Sequence, residues 1–291
     1  MIRDLFILVR PSQWLKNGVV LAALVFAGEA QHTGQLLRAL TAAGLFCLFS
    51  SAVYIFNDLI DRESDRQHPR KRNRPLASGR VTAGSAVSLM VVLVLVGLIG
   101  AWFLNLSFLL VGLCFLLLNF LYTLVLKNIV ILDAMSVAIS FVIRAYAGAF
   151  AIGVPASKWL LINTLFLALF LAFGKRRHEL VSLSENASAH RQSLGRYSPY
   201  LLDQCIGVTT AAVVVMYMLY TFSTEVSSRL GTEYLYLTIP FVVYGVFRYL
   251  YLIHKQEQGG SPTRVLIGDR PILITVILWL VTVLVILYYL R

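Results

Sequence analysis

Charged residues are scarce in this chain. Asp, Glu, Lys and Arg make up 13% of its 291 residues, about half the share of an ordinary soluble domain. With 58% hydrophobic residues and a mean hydropathy of +0.77, that scarcity excludes a water-soluble globular protein and implies an integral membrane protein. Strand-like alternation in ten-residue blocks is missing, which argues against an outer-membrane barrel and leaves helices as the spanning elements. Cysteine is rare. Cys47, Cys114 and Cys205 have no metal-ligand spacing and each lies in or beside an apolar run, so neither a disulfide nor a thiolate metal site is expected. The five histidines offer His68 no second ligand at suitable spacing, and it reads as a solvated loop residue. No small-residue cleavage pattern follows Arg3, Asp4 and Arg10, so the first apolar run reads as a retained anchor. The longest polar stretch, about 175–202, is too short for a soluble domain and no repeat is evident, so 1–291 reads as one transmembrane domain.

What is abundant is apolar sequence in runs near twenty residues. Nine spans are expected, at about 15–31, 35–57, 83–104, 107–126, 130–152, 158–176, 203–224, 234–254 and 270–290. The first and sixth are the shortest. Nine crossings gather nineteen of the 25 basic residues on one side, including Arg62, Arg66, Arg70, Lys71, Arg72, Arg74 and Arg80 after the second span. The other side keeps Arg38, Lys158, Arg229 and Arg291. Positive loops stay in the cytoplasm, so the N-terminus is expected there and the C-terminus outside. The net charge of +11 then reflects basic cytoplasmic loops and anionic lipid or substrate, with no nucleic acid implied.

The chain is organised around Asn57-Asp58-Leu59-Ile60-Asp61-Arg62-Glu63-Ser64-Asp65, at the polar end of the second span. On a helix Asn57, Asp61 and Asp65 lie four residues apart and drift slowly around one face, with Asp58 beside them and Tyr54 one turn behind Asp58. Hard oxygen donors of this kind suit Mg²⁺, which completes its shell with water and phosphate oxygens. Arg70-Lys71-Arg72-Asn73-Arg74 follows at once. Carboxylates for a metal beside cations for phosphate point to a diphosphate site at the membrane surface; a solvated charged loop is the plain alternative.

Three further groups accompany it. In Arg10-Pro11-Ser12-Gln13-Trp14-Leu15-Lys16-Asn17, Pro11 suits a helix start and Trp14 an interface anchor, while Lys16 and Asn17 are candidates to touch phosphate. Tyr122 and Lys127 precede Leu132-Asp133 and then Arg144, which lies deep inside an apolar span. A charge there faces a partner or a polar cavity. Asp133 is eleven residues away, about 16 Å along a helix, so an anionic substrate group is the favoured partner for Arg144. Gly174-Lys175-Arg176-Arg177-His178-Glu179-Leu180 reads alone as a positive-inside flank; with the other groups, Lys175 and Arg176 become candidate phosphate ligands and Glu179 their orienter.

These residues resemble the UbiA superfamily of intramembrane prenyltransferases, whose N-D-x-x-D-x-x-x-D motif is matched by Asn57, Asp58, Asp61 and Asp65. The resemblance covers nearly the whole chain. It implies an all-α, polytopic fold of nine transmembrane helices around a cavity open to the cytoplasm, in a bacterial inner membrane. It also implies Mg²⁺ on the acidic motif. The Lys-x-Arg-Pro-Leu pattern survives as Arg72-Asn73-Arg74-Pro75-Leu76. The second D-x-x-x-D motif of the aromatic prenyltransferases is missing between spans six and seven. That departure, with Arg10-Pro11-x-Gln13-Trp14-x-Lys16-Asn17, Tyr122, Lys127 and Arg144-Ala145-x-Ala147-Gly148, resembles the branch of decaprenyl-phosphate phosphoribosyltransferases.

That branch implies a transferase joining phosphoribosyl diphosphate to a polyprenyl phosphate for cell-envelope arabinan precursors. Asp58, Asp61 and Asp65 would be catalytic; Lys16, Asn17, Tyr54, Asn57, Lys71, Arg74, Tyr122, Lys127, Arg144, Lys175, Arg176 and Glu179 would bind substrate. A lipid phosphate oxygen is anionic near neutral pH and needs positioning more than a base, which suits a chain poor in histidine. Self-association is compatible with this reading. Prenyl transfer to an aromatic acceptor is the nearest alternative, and an anionic-lipid transporter the alternative from another class.

Overall fold

The computed structural model describes residues 2–67, 71–183, 193–255, 260 and 262–290. Arg70, Arg191 and Arg291, which entered the charge argument, and His68, read as a solvated loop residue, lie outside them, as does the Arg264 side chain. All regular structure among the described residues is helical, with no strand.

Eight described helices are long and apolar enough to cross a membrane. The first seven helices in chain order are α1 (Ile2–Leu8), α2 (Ala22–Phe26), α3 (Thr33–Ile60), α4 (Arg62–Gln67), α5 (Ala83–Leu104), α6 (Leu106–Leu124) and α7 (Leu132–Ile152). They are followed by α8 (Lys158–Leu183), α9 (Pro199–Phe222), α10 (Thr224–Leu230), α11 (Ile239–Lys255), α12 (Pro262–Gly268) and α13 (Arg270–Tyr289). Their starts follow local chemistry. Thr82, Asn105, Ser198 and Asp269 each accept a backbone N–H as N-caps of α5, α6, α9 and α13. Outward faces are apolar, Phe103 being 81% and Leu117 69% exposed, as a lipid solvent demands.

α3 is the axis of the first half. It packs on α5, α6 and α7 around a core holding Phe46, Phe49, Phe108 and Phe115. Phe49 fills the notch left by two glycines: a Cβ on Gly97 would lie 2.5 Å from its ring and one on Gly112 2.9 Å. α8 packs on α9 and α7, and a second core of Phe170, Phe173, Leu202, Tyr249 and Leu252 closes that half with α11. α13 seals its far end through Tyr217, Tyr220, Val283 and Ile286.

Three expectations change. The run expected to span 15–31 is not one α-helix. Pro11–Leu21 is a 3₁₀ helix continued by α2, ending at a turn with Gly28 at φ 74°. With three residues per turn, Trp14, Asn17 and Val20 stack on one face; Trp14 bonds Ser51, while Asn17 and Val20 are buried. At about 2.0 Å per 3₁₀ residue the segment and α2 cover about 30 Å. It runs from Arg10, at the Asp58 end of α3, to Ala23 and Leu24, packed with Ala39 near the other end. Second, the expected 158–176 span continues to Leu183, carrying its basic flank on helix. Third, Asn57, Asp58, Asp61 and Asp65 do not share one helix. α3 ends at Ile60, and Asp61 (ψ 6°) breaks it before α4, although Asp61 N–H still reaches Asn57 O and Asp65 N–H reaches Asp61 O.

Candidate active site

The break at Asp61 divides the acidic stretch between two cationic neighbours. Asp58, 3% exposed, accepts from Arg10 Nη2 at 2.5 Å and Arg74 Nη1 at 3.0 Å. The same Arg74 nitrogen reaches Asp65 Oδ2 at 2.5 Å, and Lys71 Nζ lies 3.8 Å from Asp65 Oδ1. Asp61 turns the other way, to Lys127 Nζ at 2.5 Å, and accepts from Asn57 Nδ2 at 3.0 Å. Asn57 Oδ1 in turn faces the Thr123 hydroxyl at 3.5 Å. Arg74 reaches its position from the turn at 75–79, which Gly79 closes at φ 76°. Burial pushes the Asp65 carboxyl upward against the pull of Arg74 and Lys71, and pushes the Lys71 ammonium downward.

A second layer lies deeper. Ser50 is eight residues back along α3 from Asp58, about 12 Å, and Arg144 is eleven residues into α7 from Asp133, about 16 Å. Asn17 is seven residues along the 3₁₀ helix from Arg10, about 14 Å. These three meet. Arg144, 5% exposed, donates from Nε to Asn17 Oδ1 at 2.9 Å, from Nη1 to Ser140 O and Oγ at 2.9 and 2.8 Å, and from Nη2 to Ser50 Oγ at 3.4 Å. Its guanidinium lies against Phe115 and Phe141, 4.6 and 5.2 Å from their ring centres. Every one of these partners is neutral. Lys16 feels the charges of Lys175, Arg144 and Arg10. Tyr54 joins the layers: Arg10 lies over its ring at 5.2 Å and the Arg144 charge also reaches it.

A third cluster ties the second half to the first. Asp133, fully buried, accepts from Arg176 Nε at 2.7 Å and the Tyr197 hydroxyl at 2.7 Å, with Ser193 Oγ at 3.4 Å. Arg176 also donates to Glu179 Oε2 at 2.7 Å and faces Tyr122 Oη at 3.5 Å; Lys175 lies 3.5 Å from Glu179. Ser193 bonds Lys127 O, and Tyr197 Oη accepts from Ile131 N–H. This holds Ile131 at φ 70°, ψ −47°, a strained conformation for a β-branched residue. Burial and the Asp133 bond push the Tyr197 phenol upward.

The structure therefore brings Asn57, Asp58, Asp61, Asp65, Lys71, Arg74 and Lys127 together in one layer, and Lys16, Asn17, Tyr54 and Arg144 in the deeper one. Lys175 and Glu179 connect with both, since the Glu179 charge also reaches Lys71. Arg176 and Tyr122 are drawn into the Asp133 knot, where each guanidinium nitrogen of Arg176 has a partner. Sequence reasoning missed Arg10 and Tyr197 as ligands of the two buried carboxylates and missed Asp133 as a hub. Arg10 carried two signals: it directly precedes a helix-starting proline, and it opens the Arg10-Pro11-x-Gln13-Trp14-x-Lys16-Asn17 pattern.

The donor set fits a divalent ion such as magnesium in part. Two carboxylates from successive helices, Asp58 and Asp65, already converge on one positive nitrogen of Arg74. Asp61 points away from that centre, and no group of three metal-ligating side chains gathers among the described residues.

Residues 18–266 match the family model described as the UbiA prenyltransferase family. The chain is 34% identical to a decaprenyl-phosphate phosphoribosyltransferase of Mycobacterium tuberculosis, over 94% of this chain and 91% of that protein. It is 32% identical to one of Corynebacterium glutamicum, over 96% and 85%. In fold it resembles a UbiA homolog from Archaeoglobus fulgidus solved with DMAPP and Mg²⁺, with a TM-score of 0.73 at 17% identity, over 98% of this chain and 99% of that one.

Proposed function

The chain belongs to the UbiA prenyltransferase family, and from that premise we propose that it transfers the 5-phosphoribosyl group from phosphoribosyl diphosphate to a polyprenyl phosphate. The observation that carries this reading is what faces the acidic stretch. Beside the acidic stretch, the described residues of the second half present Lys175 and Glu179, whose charge reaches Lys71, and no second acidic pair. That surface suits a substrate pair rich in phosphate better than a second metal-borne diphosphate.

In the reaction a phosphate oxygen of the lipid attacks C1 of the ribose. The C1–O bond to diphosphate breaks, and its electron pair leaves with the diphosphate. No net proton transfer is required. Asp58 and Asp65 would hold magnesium, which when bound neutralises charge on the diphosphate, with Asn57 and Asp61 holding Lys127 beside it. Arg10, Arg74, Lys71 and Lys127 supply further positive charge at the same place, fixed in advance by their ion pairs. The Asp133 knot has a positioning role. It fixes the backbone that carries Lys127 and the helix end that carries Lys175 and Glu179.

The same reading makes Pro11–Phe26 a ninth crossing, its length of about 30 Å matching a bilayer core. Lysine and arginine bias then puts the N-terminus and acidic layer on the cytoplasmic side of a bacterial inner membrane and the C-terminus outside, with 1–291 forming one domain around a cytoplasm-facing cavity.

The test uses purified protein, Mg²⁺, radiolabelled phosphoribosyl diphosphate and a polyprenyl phosphate. Label entering the organic phase only with both metal and lipid is the expected result. No transfer, together with prenylation of an aromatic acid from a prenyl diphosphate, would replace this reading with the family's other chemistry.

A further inference from the structure

The geometry points to a division of labour between the two layers: Lys16 and Arg144 form the binding site for the phosphate monoester of the lipid acceptor. This inference rests on the phosphoribosyl-transfer reading for the identity of the second substrate, but its observations are independent of that reading.

The first observation is uncompensated charge. Arg144 is buried, and its hydrogen-bond partners Asn17, Ser140 and Ser50 are all neutral. Lys16 has no hydrogen-bond or ion-pair partner among the described residues, yet feels three other cations. A buried cation without a counter-ion is costly in an apolar interior. Buried Arg144 with half-buried Lys16 near it implies an anion that arrives from outside the chain. In the upper layer Arg10, Lys71, Arg74 and Lys127 are each paired with Asp58, Asp61 or Asp65. Among the described residues the deep layer has no carboxylate to hold a metal, so its anion binds to cations directly. Monoester phosphate suits such a site.

The second observation is depth and orientation. Asn17, Ser50 and Arg144 lie about 12–16 Å inward of the acidic layer by three separate helical paths. The Arg144 guanidinium lies against the rings of Phe115 and Phe141, so the charge sits at an apolar boundary, where the phosphate end of a lipid arrives. A water-soluble donor enters from the polar end, where the acidic layer takes its diphosphate. An attacking oxygen must approach C1 from the side opposite the leaving diphosphate, which is the side of the deep layer. Asn17 and Ser50 fix the guanidinium so that it needs no rearrangement when phosphate arrives. Phosphate monoester is also the chemistry of the donor's own ribose 5-phosphate, and the experiment separates the two sources.

Full-length protein in nanodiscs is titrated separately with a short polyprenyl phosphate, with the corresponding polyprenol, and with phosphoribosyl diphosphate plus Mg²⁺. KM for each substrate is measured where turnover occurs. Lys16→Gln and Arg144→Gln should each weaken polyprenyl phosphate by about tenfold or more, the value of one charge-assisted hydrogen bond, and erase its advantage over the polyprenol. Affinity for phosphoribosyl diphosphate should stay within about twofold. Lys16 is half-buried and has no partner to lose, so Lys16→Gln carries the test if the Arg144 variant does not fold. Loss of phosphoribosyl diphosphate affinity with lipid affinity intact would place the ribose 5-phosphate here and overturn the inference, as would no change in either. Wild-type protein that binds polyprenyl phosphate through Lys16 but transfers no phosphoribosyl group would sink the proposed reaction while upholding this site.

Discussion

Arg176 Nε donates to Asp133 Oδ2 at 2.7 Å, joining side chains 3% and 0% exposed across 43 residues of sequence. The pair pins α8 to the start of α7 at the level where Lys127 and Glu179 meet the acidic layer. A buried pair of this kind is strongly destabilising to break and close to neutral to replace. Asp133→Asn or Arg176→Met alone should therefore lower unfolding free energy by about 3–5 kcal/mol, read by thermal or denaturant unfolding in detergent. Asp133→Leu combined with Arg176→Met should be less damaging than the sum of the two single changes. An additive double variant would show that the two residues are not coupled.

Asp58→Ala and Asp61→Ala should each reduce Mg²⁺-dependent turnover by at least about a hundredfold, as for loss of a principal electrostatic contact. The residues they leave behind, Arg10, Arg74 and Lys127, are 26%, 26% and 16% exposed and can turn to water, so folding should survive. Chelation of the metal from wild-type protein should mimic either variant. Turnover at the wild-type level in both variants would remove the acidic stretch from the mechanism.

What could be read from the sequence follows the range of the interaction involved. Asn57, Asp58, Asp61 and Asp65 announce themselves by local spacing, and Arg144 by being a charge in an apolar run. The α-helical spans follow from length and hydropathy alone. The Asp133 knot does not, because its partners Arg176, Ser193 and Tyr197 come from 43 to 64 residues away and no periodicity encodes such a meeting. Nor does the 3₁₀ helix. Length and hydropathy do not set the winding of an apolar run, and it is the packing of Trp14, Asn17 and Val20 on α3 and α7 that selects the tighter one. The break at Asp61 was hidden for a similar reason: Lys127, 66 residues away, pairs with its carboxylate.

Asp269 caps α13 by accepting Ile272 N–H at 3.0 Å and grips Arg248 through both carboxylate oxygens, at 3.3 and 2.8 Å. Asp269→Ala should cost about 1 kcal/mol from the cap alone. The Arg248 bond holds the Asp269 carboxyl below the usual carboxylate range. Its stabilisation is thus complete above the unfolded-state value and fades as pH falls through the lower folded-state value. The gap in thermal midpoint between wild type and Asp269→Ala should narrow in acid. A gap that is constant from neutral pH to below the carboxylate range would mean the charge contributes nothing.

Gly148 sits one helical turn beyond Arg144, where the backbone of α7 touches the backbone of the segment carrying Lys16 and Asn17. A Cβ there would collide with Val20 O and lie 2.9 Å from Val20 C. Alanine for glycine inside a helix is ordinarily stabilising by about 0.5–1 kcal/mol, and here the sign should reverse. No side chain can swing aside, because the obstacle is main chain, so the 3₁₀ segment must move off α7. Asn17 then leaves Arg144, whose Nε loses its acceptor in an apolar interior, and Lys16 moves with it. Gly148→Ala should accordingly lower the thermal midpoint and raise KM for polyprenyl phosphate together, with much less effect on KM for phosphoribosyl diphosphate. Gly153→Ala is the contrasting change. It meets no atom within 4 Å but sits at φ 71°, so it should cost stability through backbone strain and leave the substrate constants alone. If Gly148→Ala behaved like Gly153→Ala, the close seating of the first segment on α7 would not be what organises the deep layer.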